Sequence, residues 1–263
     1  MGEGAFGKAY LVECESNGDL CVIKQVNIAQ MSEREKEETL KEAQILEVLD
    51  HPNIVTFREF YKTKKGHLCI VMDFADGGDL AKLITNQRGR YFSESQIMDW
   101  FTQICLGMKH VHDRKILHRD IKCQNVFITK QNIIKLGDFG IARVLRHTVE
   151  VTRSMVGTPY YLSPEIIEGR PYSFKSDIWS LGVMLYELCA LRPPFEGSSM
   201  HFLSVQIVRG RYPALPAHFS RELKTLVSQL LQVDVRKRLN ITQILKQPIV
   251  ARRIKQFLNE ETF

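Results

Sequence analysis

The spacing of apolar residues changes character near Asp79, and that change limits the chain to a mixed α+β fold with two unequal halves. Before it, β-rich or alternating runs occupy 9–12, 20–26, 54–61 and 68–74, separated by turn signals such as Asn17-Gly18-Asp19 and Lys65-Gly66. Between the second and third runs, Ser32-Glu33-Arg34-Glu35 forms a capping box, in which serine and glutamate satisfy each other's backbone N–H groups and start a helix. Leu40, Ala43, Leu46 and Leu49 follow at helical spacing, and His51-Pro52 is expected to stop the helix.

Beyond Asp79 the pattern is helical. Ser93-Glu94-Ser95-Gln96 is a second capping box, followed by Ile97, Phe101, Ile104, Met108 and Val111 on one stripe. Residues 116–136 read as short strands and loop, and helix resumes from Lys175. The almost wholly apolar stretch 178–191 is expected to be the buried helix of the second half; it contains Glu187 and is too short to span a bilayer. No basic-then-apolar leader opens the sequence, and no repeat or Gly/Ser-rich linker interrupts it, so the join near Gly77-Gly78 is expected to be a hinge and not a tether.

The 263 residues are 44% hydrophobic and 25% charged, enough for a real core and unlike a disordered or collagenous chain. A net charge of +6 is spread along the sequence and does not by itself argue for nucleic acid. The six cysteines, Cys14, Cys21, Cys69, Cys105, Cys123 and Cys189, lie far apart with no C-x-x-C pair. Neither a zinc site nor a disulfide framework is therefore indicated, and a reducing, intracellular compartment is expected.

Gly2-Glu3-Gly4-Ala5-Phe6-Gly7 matches G-x-G-x-x-G, a weak signal alone because dinucleotide-binding turns share it. Such a turn opens a helix, whereas here Lys8 to Val12 is β-like and runs through Asn17-Gly18-Asp19 into another strand, so the glycines are expected in a hairpin. That second strand carries Lys24, and the capped helix offers Glu42. Each is an ordinary surface charge when read alone.

Downstream stand His118-Arg119-Asp120-Ile121-Lys122-Cys123-Gln124-Asn125, then Asp138-Phe139-Gly140, Ser163-Pro164-Glu165 and Asp177-Ile178-Trp179-Ser180-Leu181-Gly182. With these in order after the glycine motif, the chain resembles the eukaryotic protein kinases over essentially its whole length. The resemblance implies a bilobal fold over 1–263: an antiparallel-sheet lobe with one helix at 1–75, a hinge at 73–78 and a mainly helical lobe at 79–263. It also implies a longer first strand, of about ten residues, before the glycine loop; Met1 stands directly before Gly2, so that strand is expected to be truncated.

The implied chemistry is transfer of the γ-phosphate of ATP, with Mg²⁺, to serine or threonine hydroxyls of protein substrates, in which the protein positions groups and neutralises charge. Asp120 would orient the acceptor hydroxyl and take its proton, Lys122 would neutralise the γ-phosphate, and Lys24, paired with Glu42, would reach the α- and β-phosphates. Asn125 and Asp138 would hold the metal. Gly2, Gly4 and Gly7 would cover the phosphates; Met1, Ala9 and Val22 would roof the adenine, with Phe127 below it. Met72 corresponds to the gatekeeper, Asp73, Phe74 and Ala75 to the hinge, and Asp79 to a ribose contact. Arg238 and Asp177 match structural partners of Glu165 and of the catalytic loop, and Leu46, Phe57, His118 and Phe139 match side chains stacked between the lobes.

Ser154, with Thr152 as the alternative, is expected to be a phosphorylated activation-loop residue received by Arg119 and Arg143. Ile141 is expected to favour threonine as the acceptor. Among kinases, 135–143, 157–165, Trp100-Phe101-Thr102-Gln103, 174–177 and Leu185-Tyr186-Glu187-Leu188 resemble the NIMA-related kinases. That resemblance implies a cytoplasmic protein associated with microtubules, centrosome or cilium, acting on protein substrates and on neither nucleic acid nor membrane. A kinase-like scaffold without efficient catalysis is the alternative; its mark would be loss of Lys24, Asp120, Asn125 or Asp138, and all four are present.

Overall fold

The computed structural model describes residues 2–4, 7–15, 17–138 and 159–260, of which 3, 38, 41–42 and 258–260 are described by their backbone alone. The first half forms one antiparallel sheet from β1 (Gly2–Gly4), β2 (Gly7–Glu13), β3 (Leu20–Asn27), β4 (Phe57–Lys62) and β5 (His67–Asp73), in the order β1-β2-β3-β5-β4. β1 is three residues long and pairs with β2 through Gly2↔Ala9 and Gly4↔Gly7, so the glycine motif lies in a hairpin. Ala9 faces Lys24 across β2 and β3, and Val22 faces Met72 across β3 and β5. Because side chains alternate along a strand, Ala9, Val22, Lys24 and Met72 share one face of the sheet.

The helix of this half, α1 (Glu33–Glu47), starts at the capping box: Ser32 Oγ accepts from Glu35 N at 3.3 Å and Glu35 Oε2 accepts from Ser32 N at 2.7 Å. It ends before His51-Pro52, contrary to the sequence expectation. Val48 and Leu49 donate to Ile45 O and Leu46 O at 3.3 and 3.2 Å, the tightened pattern of a closing turn, so proline is not what terminates it. Leu49 is still buried, from just beyond the helix.

The second half contains α2 (Leu80–Asn86), α3 (Glu94–Asp113), a small ribbon of β6 (Val126–Ile128) and β7 (Ile134–Leu136), α4 (Pro164–Ile167), α5 (Phe174–Ala190), α6 (Met200–Arg209), α7 (Arg221–Leu230), α8 (Ile241–Leu245) and α9 (Pro248–Glu260). Ser93 caps α3 by accepting from Gln96 N at 3.2 Å, but the expected capping box is only half formed, without the return bond from Ser93 N to the Gln96 side chain; Glu94 next to the cap accepts from Ser220 N and Oγ. α5 is the expected buried helix: Ile178, Trp179, Leu181, Val183, Met184, Leu185, Tyr186 and Leu188 are all in the core. Full burial of such side chains contributes roughly 1.5–3 kcal/mol each, which outweighs the middling helix propensity of its Ile, Val, Trp and Tyr.

The two halves share one continuous core, from Val26, Leu68 and Ile70 in the sheet through Leu80, Phe101 and Met108 to α5. Gly77 and Gly78 join them through a packed connection. Gly77 N donates to Ile128 O at 2.8 Å and Ile128 N to Gly78 O at 2.9 Å. A Cβ on Gly77 would meet Ile128 O at 2.7 Å, and Gly78 has φ +84°, so both positions favour glycine. Among the described residues no helix is long and apolar enough to cross a membrane.

Candidate active site

Three sequence-assigned residues converge in the loop between α3 and β6. Asp120 Oδ2 accepts from Lys122 Nζ at 2.9 Å and from Asn125 Nδ2 at 2.7 Å, and Asn125 Nδ2 also donates to Asp120 O at 2.8 Å. The short 3₁₀ turn Cys123–Asn125 produces this convergence by folding Asn125 back onto Asp120. Gly137 N then donates to Asn125 O at 3.0 Å, which sets Asp138 beside the loop. A Cβ on Gly137 would stand 2.7 Å from the Phe127 ring, so only glycine lets the chain pass there.

From the sheet, Lys24 Nζ reaches Asp138 Oδ1 at 2.5 Å. Lys24 and Asp138 line a cavity with Leu46, Val55, Phe57 and Met72, so two of the expected lobe-linking side chains and the expected gatekeeper meet the ion pair. Phe127 packs against Gly137 and forms a bridge to Asp79, whose Oδ1 caps α2 by accepting from Lys82 N at 2.8 Å. Asp73 ends β5, and its carboxylate turns to Arg58 on β4.

The loop carrying His118, Arg119 and Asp120 is held from below by Asp177 of α5. Its Oδ2 accepts from His118 N at 3.1 Å and stands 2.9 Å from His112 Nε2; its Oδ1 accepts from Arg119 N at 3.0 Å and Tyr172 Oη at 2.6 Å. Burial pushes the Asp177 carboxyl up, but the hydrogen bonds and charge of His112, with Tyr172 and His118, hold it below the ordinary carboxylate range. Arg119 and Asp138 both have positive φ, 66° and 52°; around Arg119 the strain is held by its own N–H to Asp177 and by Asp120 N to His118 Nδ1. His118 is buried, and burial lowers its pKa despite Asp177, Asp120 and Asp138.

Glu165 and Arg238 form a bidentate pair at 2.8 and 3.0 Å, with Ser176 Oγ donating to Glu165 Oε1 at 2.8 Å and the guanidinium lying over the Trp179 ring. Both residues act structurally, as their sequence context implied.

Some sequence-assigned positions lie outside the described residues: Met1, Phe139, Ile141, Arg143, Thr152, Ser154 and the side chain of Glu42. Gly2, Gly4 and Gly7 are placed by their backbone pairing. Sequence reasoning missed Tyr161 and Cys123, which meet Glu187 behind the catalytic loop. Tyr161 Oη donates to Glu187 Oε2 and accepts from Cys123 N at 3.2 Å, and Cys123 Sγ lies 3.6 Å from the same carboxylate. The available signal was Glu187 itself, a lone charge in an apolar helix. Burial pushes all three groups up, so Cys123 is an inert thiol. A larger cavity of about 300 Å³ between α3 and α9 contains none of the assigned residues, and its Arg252 and Arg253 are paired with Glu222 and Asp99.

The oxygen donors fit Mg²⁺. Asn125 and Asp138 are brought together by the Gly137 hydrogen bond, and among the described residues no cluster of three or more His, Cys, Asp or Glu could hold a metal alone. Mg²⁺ commonly takes one or two carboxylates and completes its shell with water and substrate phosphate.

The family described as Protein kinase domain matches residues 1–250. The chain belongs to that family. Within it, this kinase domain is similar to serine/threonine-protein kinase Nek5 of Homo sapiens, 52% identical over 262 residues, covering 99% of this chain and 37% of that protein. It is 51% identical over 261 residues to serine/threonine-protein kinase Nek1 of Mus musculus, covering 99% and 22%, and 42% identical over 258 residues to Nek4 of Mus musculus, covering 98% and 33%. The sequence resemblance to the NIMA-related kinases therefore holds along the whole domain, while the chain spans well under half the length of these relatives.

Proposed function

We propose that this kinase domain transfers the γ-phosphate of ATP to serine or threonine hydroxyls of protein substrates, with Mg²⁺ bound by Asp138 and Asn125. The observation that carries this reading is the convergence of Lys122 and Asn125 on the Asp120 carboxylate, with the Lys24–Asp138 pair beside it. Asp120 orients the acceptor hydroxyl and receives its proton, while Lys122 and Lys24 offset negative charge on the polyphosphate. Bound Mg²⁺ supplies Lewis-acid neutralisation of phosphate oxygens. Ala9, Val22, Met72 and Phe127 form apolar walls suited to a purine. Incubating the protein with labelled ATP, Mg²⁺ and a generic protein acceptor, beside Asp120→Asn, tests this: the wild type transfers label to Ser or Thr and the variant loses nearly all transfer. Equal labelling by both would remove Asp120 from the mechanism.

Two finer features belong to the same proposal. Ser154, or Thr152, is phosphorylated and held by Arg119 and Arg143; a phosphate adds about −1.5 to −2 charges for these arginines to pair. Full activity in Ser154→Ala and Thr152→Ala, with no phosphate at either site in active enzyme, rejects the switch. Ile141 biases the acceptor towards threonine, because its β-branch packs against the extra methyl. A single methyl in an apolar contact is worth ~1–3 kcal/mol, so paired peptides should show a higher kcat/KM for Thr, reversed or abolished by Ile141→Phe.

A further inference from the structure

β4 does not run regularly beside β5. Phe57 pairs with Met72 but Glu59 pairs with Val71, so Arg58 is the extra residue of a β-bulge. Bulges re-aim a side chain, and are frequent next to active sites. This one sends the Arg58 guanidinium to two carboxylates on different elements: Nε donates to Asp73 Oδ1 at 2.6 Å, and Nη2 to Asp19 Oδ2 at 3.0 Å. Asp73 is the last residue of β5 and opens the hinge, and its N–H also donates to Thr56 O at 2.9 Å. Asp19 lies in the turn joining β2 to β3, where Asn17 Nδ2 donates to its Oδ2 at 2.6 Å. A single fork thus ties the hairpin that carries Ala9 and Val22 to the start of the hinge.

We propose that Arg58 is a positioning residue for the nucleotide, fixing the separation between the β2–β3 roof and the Asp73 hinge. This rests on the reading of the cleft as an ATP site. Two carboxylates that face one guanidinium repel each other once it is removed, so the turn and the hinge drift apart and the adenine slot loses its set width. A rigid planar fork can serve both acids at once, whereas lysine is a point charge that satisfies one. The groups are partly exposed, so the effect is moderate and sensitive to salt. Asp120, Lys122 and Asn125 lie in the other half and keep their geometry, so the change falls on binding and not on the chemical step.

The test titrates a fluorescent ATP analogue with Mg²⁺ into wild type, Arg58→Met, Arg58→Lys, Asp19→Asn and the control Lys64→Met, and measures KM for ATP and kcat for each. Arg58→Met should weaken analogue binding and raise the ATP KM by about three- to tenfold with kcat within about twofold, and the gap should narrow near 1 M salt. Arg58→Lys should fall between, and Lys64→Met should match wild type. Asp19→Asn, in an exposed turn, removes the outer arm without touching β4 and should raise KM by about two- to threefold. Wild-type binding in Arg58→Met, or a fall in kcat at unchanged KM, overturns the role. No analogue binding by wild type is a different result: it removes the ATP reading, and the positioning role with it.

Discussion

Lys24 Nζ lies 2.5 Å from Asp138 Oδ1, joining the sheet to the segment after β7 across 114 positions of sequence. Neither side chain is fully buried, 20% and 35% exposed, so the pair remains accessible to a polyphosphate entering between the halves. The contact holds a cation and the carboxylate proposed to bind metal at one point, the kind of electrostatic preorganisation phosphoryl transfer needs.

Lys24→Met should therefore lower kcat by about 100-fold or more, the scale of losing one preorganised donor. Asp138→Ala should remove metal-dependent transfer altogether. Both variants should keep the fold, since the pair is partly solvated and such pairs add little stability. Steady-state kinetics with Mg²⁺ titration, together with thermal melts, checks this; metal-dependent transfer by Asp138→Ala at wild-type rate sinks the assignment.

Asp177 predicts a different signature. Its carboxylate accepts from two consecutive loop N–H groups, of His118 and Arg119, as well as from Tyr172. In Asp177→Asn an amide must point its own donor at one of these donors, leaving a buried N–H unpaired, a loss of about 1–3 kcal/mol. Because Arg119 precedes Asp120, the strained φ of 66° should relax and misplace the Asp120 carboxylate. Melting temperature and kcat should fall together, with ATP KM changed least.

Acid stability should be set in part by Glu165. Burial raises its carboxyl pKa, but the Arg238 hydrogen bonds and charge more than offset this and leave it below the ordinary value. A depressed folded-state pKa means stability that is present above the unfolded pKa, near 4.3 by the general scale for glutamate, and is lost as pH falls through the folded value. Glu165→Gln should flatten the acid limb of the stability curve. At neutral pH it strands the Arg238 charge, whose side chain is 0% exposed, and should lose about 3–5 kcal/mol. Denaturant melts from pH 3 to 7 read both effects; an unchanged acid limb rejects the linkage.

Local signals and distant pairings were not equally legible in the sequence. The Ser32 capping box, the buried stripe of α3 and the apolar α5 could be read because each is written within one or two helical turns. The candidate-site residues were assigned from the resemblance of their motifs to the protein kinases, and what the fold adds is that Asp120, Lys122 and Asn125 meet while Lys24 reaches Asp138. The end of α1 was misjudged because backbone tightening at Val48 leaves no residue signature, whereas Pro52 is conspicuous. The Arg58 bulge was invisible for a similar reason: it is a shift of register between two strands, and Thr56 to Phe60 shows no glycine or proline to mark it. Tyr161 read as part of a family motif, and only the fold brings it to Cys123 and Glu187.

That last cluster supports a prediction of its own. Tyr161 Oη donates to Glu187 and accepts from Cys123 N, so one hydroxyl connects α5 to the turn that carries Asn125. Tyr161→Phe removes it and leaves both the Cys123 N–H and the Glu187 carboxyl short of a buried partner, a loss of about 1–3 kcal/mol. Burial already raises the Glu187 pKa and the tyrosine hydrogen bond lowers it, so in the variant that pKa should climb further. A raised folded-state pKa gives stability that is lost as pH rises, so the variant's deficit should widen from pH 5 towards pH 8. In catalysis the loosened turn should lower kcat by roughly fivefold to thirtyfold, the scale set by about 1–2 kcal/mol in the barrier, while ATP KM stays near wild type because Lys24 and the sheet are untouched. Glu187→Gln is the contrast: its amide oxygen still accepts from Tyr161, so the hydroxyl stays in place and kcat should be largely retained. A Tyr161→Phe enzyme with wild-type kcat would reject the tyrosine bridge, and a Glu187→Gln enzyme equally impaired would assign the role to the carboxylate's charge instead.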